Sequence, residues 1–96
     1  MRLYVLLVKE LYFKMITLNN LQPSCSAYIA SVTECDKIKR RLYELGFVVG
    51  NIVTPLYKSP LGDPTAYSIM GSVVALRNET TANITVKPIS ETEVFV

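Results

Sequence analysis

The sequence predicts a mainly-β domain, a small antiparallel barrel of about five strands with one short helix. Short apolar runs with period-two alternation lie close together between turn-forming clusters, which is the pattern of an all-β fold. Only one stretch carries helical periodicity. Strands and helices do not alternate, so the rhythm of a parallel sheet is absent. Closure into a barrel suits a chain of 96 residues because it removes most exposed strand edges. No internal repeat is present.

The ordered domain is expected to span residues 15–90, with an extension at 1–14 and a tail at 91–96. In the extension, Leu3, Leu7 and Leu11 recur at helical spacing, while Tyr4, Val5 and Val8 are β-formers, so both a helix and a strand fit. The apolar run ends at Lys9-Glu10. It is too short to cross a bilayer and has no small-residue cleavage site of a signal peptide. A turn around Pro23 leads into a strand over 27–32, with Tyr28, Ala30 and Val32 on one face and Ala27, Ile29 and Ser31 on the other.

The helix follows. Thr33 precedes Asp36 by three residues, a variant of the capping box that places an acid where the helix dipole favours it. Ile38, Leu42 and Leu45 form the predicted buried stripe, and Gly46 stands where a C′ glycine belongs. Strand signals return over 52–57, interrupted by Pro55, which cannot donate to a ladder and so implies an edge or a bulge. The stiff 60–64 loop comes next. Strands are then expected at 65–70 and 73–77, separated by Gly71-Ser72, and at 84–87 with Ile84 and Val86 inward. Residues 78–83 read as a polar turn. The tail 90–96 either adds a strand or frays.

Half of the residues are hydrophobic and 19% are charged, which is too apolar for a disordered chain and too charged for a membrane span. There is no His and no Trp, so no Ser–His or Cys–His triad, no imidazole proton shuttle and no His-bearing zinc site can be built. The net charge of +2 belongs wholly to residues 1–14. The remainder balances its cations and acids, so no nucleic-acid-binding face is expected. Cys25 and Cys35 match no redox or zinc-ribbon spacing and read as reduced thiols. No catalytic residues, metal ligands or cofactor site can be assigned, and the chain is expected not to be an enzyme.

The order of words from Arg41-Leu42-Tyr43-Glu44-Leu45-Gly46-Phe47 through Gly50, Pro60-Leu61-Gly62-Asp63-Pro64, Gly71 and Ala75-Leu76-Arg77 to Ile84-Thr85-Val86 closely resembles the FeoA family, the small ferrous-iron-transport proteins A. Upstream, Thr17-Leu18, Leu21-Gln22-Pro23 and Ala27-Tyr28-Ile29 also match, so the resemblance covers residues 15–88. It implies an SH3-like barrel with the helix at one end. It also implies a cytosolic accessory protein of bacterial ferrous iron uptake, held at the inner face of the membrane only through a partner. That partner would be FeoB, a permease with a cytosolic GTPase domain. Similar domains end the iron-dependent repressors, which makes a metal-sensing regulatory domain the alternative. Family labels include transition-metal binding, but this sequence offers no ligand set for it. Pro55, Asn78-Glu79-Thr80-Thr81 and residues 1–14 depart from the family pattern.

Seven residues are the candidate partner-binding set: Arg41, Pro60, Leu61, Gly62, Asp63, Pro64 and Arg77. The loop could recognise a partner, since two prolines lower the entropy lost on docking, or it could be a stiff hairpin connection in which Gly62 supplies an unusual φ. Lys37, Lys39, Arg40 and Arg41 could dock on an acidic surface or simply keep a helix face wet. Arg41 and Arg77 could equally be structural, pairing with Asp63 or a carbonyl. Leu61, in a loop, is the apolar side chain expected to be most exposed, with Leu45 and Phe47 in the core. No nucleic acid and no direct membrane insertion are expected. A small barrel with open ends allows weak self-association.

Overall fold

A computed structural model describes residues 15–89. The expectations placed on residues 1–14 and on the chain beyond 89 lie outside the described residues. Among the described residues, six strands form one antiparallel sheet: β1 (Ile16–Thr17), β2 (Ala27–Val32), β3 (Ile52–Lys58), β4 (Thr65–Ile69), β5 (Ser72–Leu76) and β6 (Ile84–Pro88). Their order is β1-β6-β2-β3-β4-β5. A 3-10 turn, Leu18–Asn20, follows β1, and two helices interrupt the strands, α1 (Asp36–Leu45) and α2 (Asn78–Thr81).

The mainly-β, antiparallel class with one short helix is as predicted, with two additions. The sixth strand is the two-residue β1, and the polar turn at 78 is a single helical turn. Among the described residues the ladder does not close between β1 and β5. The sheet nevertheless wraps one core, because Ile16 of β1 and Val74 and Leu76 of β5 pack against the same buried cluster.

That cluster is built from the alternation. Ile84 and Val86 of β6 are fully buried, as are Val53 of β3 and Phe47, and Ile69 and Tyr67 of β4 join them. Burying each such side chain contributes about 1.5–3 kcal/mol. In β2 the alternation changes phase. Ala27 and Ile29 face the core, the register slips between Ile29 and Ser31, and Val32 is then buried instead of Ser31. A bulge adds one unpaired residue and so exchanges the faces, which is why a strict period of two predicts the wrong face for Val32.

Pro55 lies in β3 beyond Ile52 and Val53, the two residues that pair with β2, so its missing N–H falls where the strand has no β2 partner, next to a bulge. The β3–β4 register shifts between Pro55 and Tyr57, and the Pro55 carbonyl accepts the Ser24 N–H at 2.9 Å.

Helix α1 corrects two expectations. Its N-cap is Cys35, with no side-chain cap bond, so Thr33 does not close a capping box. Of the predicted stripe only Leu42 is buried, while Ile38 and Leu45 are 41% and 38% exposed. Within α1, Leu42 is the residue that joins the core cluster, and the exit of the helix is fixed tightly behind it. Gly46 takes φ +109°, its carbonyl accepts Asn51 Nδ2 at 2.8 Å, and Phe47 N–H returns to the Leu42 carbonyl at 2.9 Å. Phe47, one residue past the glycine, is fully buried in the core cluster. A Cβ on Gly46 would stand 2.9 Å from Met70 Cγ, so α1 ends against the β4–β5 turn.

Candidate partner-binding surface

The 60–64 loop joins β3 to β4. Gly62 N–H donates to the Ser59 carbonyl at 2.8 Å, and Ser59 N–H to the Pro64 carbonyl at 3.0 Å. A β-turn with Pro60 in its second position results, for which a fixed φ near −65° is pre-set. Gly62 closes it at φ +85° with open space where a Cβ would stand.

The other side of the loop is held from α2. Asn78 N–H donates to Asp63 Oδ1 at 2.9 Å, and Asn78 Nδ2 to the Gly62 carbonyl at 3.3 Å. The Asp63 carboxylate thus satisfies a free N–H at the first turn of α2, where an acid also meets a favourable dipole. Its engagement here replaces the pairing with Arg41 or Arg77 considered from the sequence. The side chain the turn presents is Leu61, 95% exposed.

Beneath the loop, Tyr67 is almost wholly buried. Burial pushes its phenol above the ordinary tyrosine value of 10.0. Hydrogen bonds with Thr81 and Thr65 oppose that, and the Asp63 charge adds to it. The Ser59 hydroxyl is buried without a hydrogen-bond partner among the described residues.

The structure brings together six of the seven candidate residues. The β4–β5 register pairs Thr65 with Leu76, which sets Pro64 beside Arg77 at the strand ends, and Arg77 leads directly into α2. Its side chain is exposed. Arg41 stands apart on α1, exposed, and no hydrogen bond or ion pair ties it to the loop.

Two features escaped the sequence reading. Asn78 is the clamp of the loop, though its only signal was an Asn preceding Glu79 and two threonines, which also fits a turn. A cleft of about 360 Å³ lies between the start of α1 and α2, lined by Glu34, Ile38, Glu79, Thr80 and Asn83. Asn83 Nδ2 bridges it to Glu34 Oε1 at 2.6 Å. Nothing local in the sequence signals a contact over such a separation. Among the described residues, no group of three or more His, Cys, Asp and Glu side chains stands together to hold a metal ion, and no helix is long and apolar enough to cross a membrane.

The FeoA domain family model matches residues 16–88. A curated relative, the Fe(2+) transport protein A/Fe(2+) transporter FeoB fusion protein of Porphyromonas gingivalis, is 38% identical over 73 residues, 76% of this chain and 9% of its own length. The chain thus spans about a tenth of that relative. Among solved structures, the FeoA protein of Chlorobium tepidum superposes with a TM-score of 0.75 at 31% identity, over 78% of this chain and 71% of that one. Stenotrophomonas maltophilia FeoA, a prokaryotic SH3 domain protein solved with zinc, gives 0.66 at 36% identity, over 74% and 88%. The motif order, the SH3-like architecture and a family match running from the first described strand to the last agree: the chain belongs to the FeoA family.

Proposed function

We propose that this protein is a non-enzymatic, cytosolic accessory protein of bacterial ferrous iron uptake that docks on a FeoB-type GTPase permease and modulates it. The observation that carries this reading is the Porphyromonas gingivalis relative, in which a region similar to this chain is joined to an Fe(2+) transporter FeoB in one polypeptide. Domains fused in one chain in one organism are natural partners when encoded separately.

The docking face is the 60–64 loop with Arg77. Leu61 offers an apolar side chain on a turn whose backbone is fixed from both sides, so little entropy is lost when it is buried. Arg77 beside it supplies a cation for an acidic partner surface. Arg41 belongs to a second, separate contact on α1. The action is that of a rigid module on its partner's assembly, gating or nucleotide cycle, and no covalent step is involved.

Calorimetry of the full chain with the purified cytosolic domain of the cognate permease, with and without guanine nucleotide and Fe(II), tests this. Saturable binding that is lost in Leu61→Asp is expected. Absence of binding in every condition, with the protein folded, would overturn it.

A further inference from the structure

The two edges of the sheet are unequal. β1 is two residues long, the kind of short edge that offers little to pair with. β5 is five residues, Ser72-Val73-Val74-Ala75-Leu76, without charge, proline or bulge, which are the usual devices against edge-to-edge pairing. Its register with β4 shows which groups are spare. Ile69 pairs with Ser72 across a two-residue turn in which Met70 and Gly71 have φ +48° and +79°, the primed turn favoured in hairpins. The closing pair of such a hairpin exchanges both hydrogen bonds, and bonded pairs then alternate with unbonded ones. Ser72, Val74 and Leu76 therefore spend their N–H and C=O groups on β4. The N–H and C=O groups of Val73 and Ala75 point away from it, and among the described residues β5 pairs with β4 alone. Val74 and Leu76 send their side chains to the core, while Val73 is 63% exposed and Ala75 is exposed.

We infer that β5 is the self-association edge of this protein, pairing antiparallel with β5 of a second copy about a two-fold axis at Val74. In that register Val73 faces Ala75 of the partner subunit, and Ala75 faces Val73 of the partner subunit. Each pair exchanges both of its spare hydrogen bonds, and Val74 meets its own equivalent as the unbonded pair between them. An isologous contact demands such self-complementarity. The strand meets it in hydrogen-bond phase and in charge, because no charged side chain lies within the paired register and Arg77 falls opposite Gly71. A seam of five residues falls below the roughly 1,200 Å² of stable interfaces, so the dimer is weak and dissociates on dilution.

Sedimentation velocity of the full chain, from about 10 µM to about 1 mM, reads the equilibrium directly. The mass is expected to rise from monomer toward dimer, with the Val73 and Ala75 amides gaining exchange protection in parallel. Ala75→Pro removes an outward N–H without touching the β4 ladder. Val73→Lys puts a charge on the edge and is the second variant should the proline disturb folding. Each is expected to raise the dissociation constant at least tenfold while keeping native amide dispersion. A monomer at every concentration would overturn the inference. So would a dimer unchanged by both variants, which must use another surface. So would full protection of both amides in the dilute monomer, which would mean that the chain's own residues outside 15–89 cover the edge. Protection that appears only on adding the permease domain would give the edge to that partner instead.

Discussion

The backbone N–H of Asn78 reaches Asp63 Oδ1 at 2.9 Å, so the loop after β3 and the helical turn after β5 are fastened to each other. Asp63 serves both at once. It directly follows the turn that carries Leu61, and it occupies the position of an N-terminal acid on α2. The presentation of an exposed leucine thus depends on an interaction that forms only when two distant connections meet.

Asp63→Ala should cost roughly 1 kcal/mol, the usual penalty for losing a helix-terminal cap. Asn78→Ala should cost only a few tenths, because its N–H stays and the bond it loses is the longer one, at 3.3 Å. Urea unfolding of the two variants ranks them. Equal costs would mean that the carboxylate is not the anchor.

Leu61→Asp should leave stability within about 0.5 kcal/mol of the parent, as for other surface changes away from special features. If the loop and Arg77 form one docking face, Leu61→Asp and Arg77→Glu should be non-additive in binding to the permease domain. Arg41→Glu, on a separate element, should add to either within about 0.5 kcal/mol. A double-mutant cycle by calorimetry decides it. Strong coupling of Arg41 to Leu61 would join the two surfaces.

On α1, Leu42→Ala should cost about 2–5 kcal/mol by leaving a cavity. Ile38→Ala and Leu45→Ala should each cost less than about 1 kcal/mol, because both side chains are already partly in water. Thermal unfolding of the three variants separates a one-point anchor from a three-residue stripe.

Much of the fold was legible because short-range rules decide it. Gly46 ends the helix in the left-handed region as its position suggested, Ile84 and Val86 turn inward as alternation requires, and a bulge adjoins Pro55. The failures share a cause. The face of Val32 depends on a slip against β6, and Ile38 borders a cleft whose far wall is Glu79, Thr80 and Asn83. Each is set by residues dozens of positions away. The candidate surface was legible in the same measure. The turn-forming residues of the 60–64 loop announce a stiff loop, but Asn78 as its clamp and Arg41 as an outlier are visible only once the strands are paired.

Gly46→Ala should destabilise the domain by at least about 1 kcal/mol from the left-handed backbone alone. A further cost comes from the 2.9 Å approach of the new Cβ to Met70 Cγ. Met70→Ala in the same chain should return the second part and not the first. Unfolding free energies of the single and double variants measure the split. Full rescue would mean that the backbone bears no strain.

Tyr67 gives the domain an alkaline limit. Its phenol ionises above the ordinary value of 10.0 in the folded state, so above about pH 10 the unfolded chain loses its proton first. The unfolded state then binds fewer protons than the native one, and stability falls as pH rises. Tyr67→Phe should lose about 1 kcal/mol at neutral pH from the missing hydroxyl bonds and flatten the decline above pH 10. Denaturation midpoints between pH 8 and about pH 11 test both signs. An unchanged slope in the variant would assign the alkaline loss elsewhere.

The position of β6 has a consequence for biosynthesis. It is the last described strand to leave the ribosome, yet it lies between β1 and β2, bonded to Thr17 on one side and Ile29 on the other. Until residues 84–88 emerge, β1 has no strand to pair with, β2 has only β3, and the core lacks Ile84 and Val86. The nascent chain therefore cannot consolidate from its N-terminus forward. A chain stopped before Ile84 should be a substrate for chaperones and proteases, and one extended past Pro88 should close in a single cooperative step.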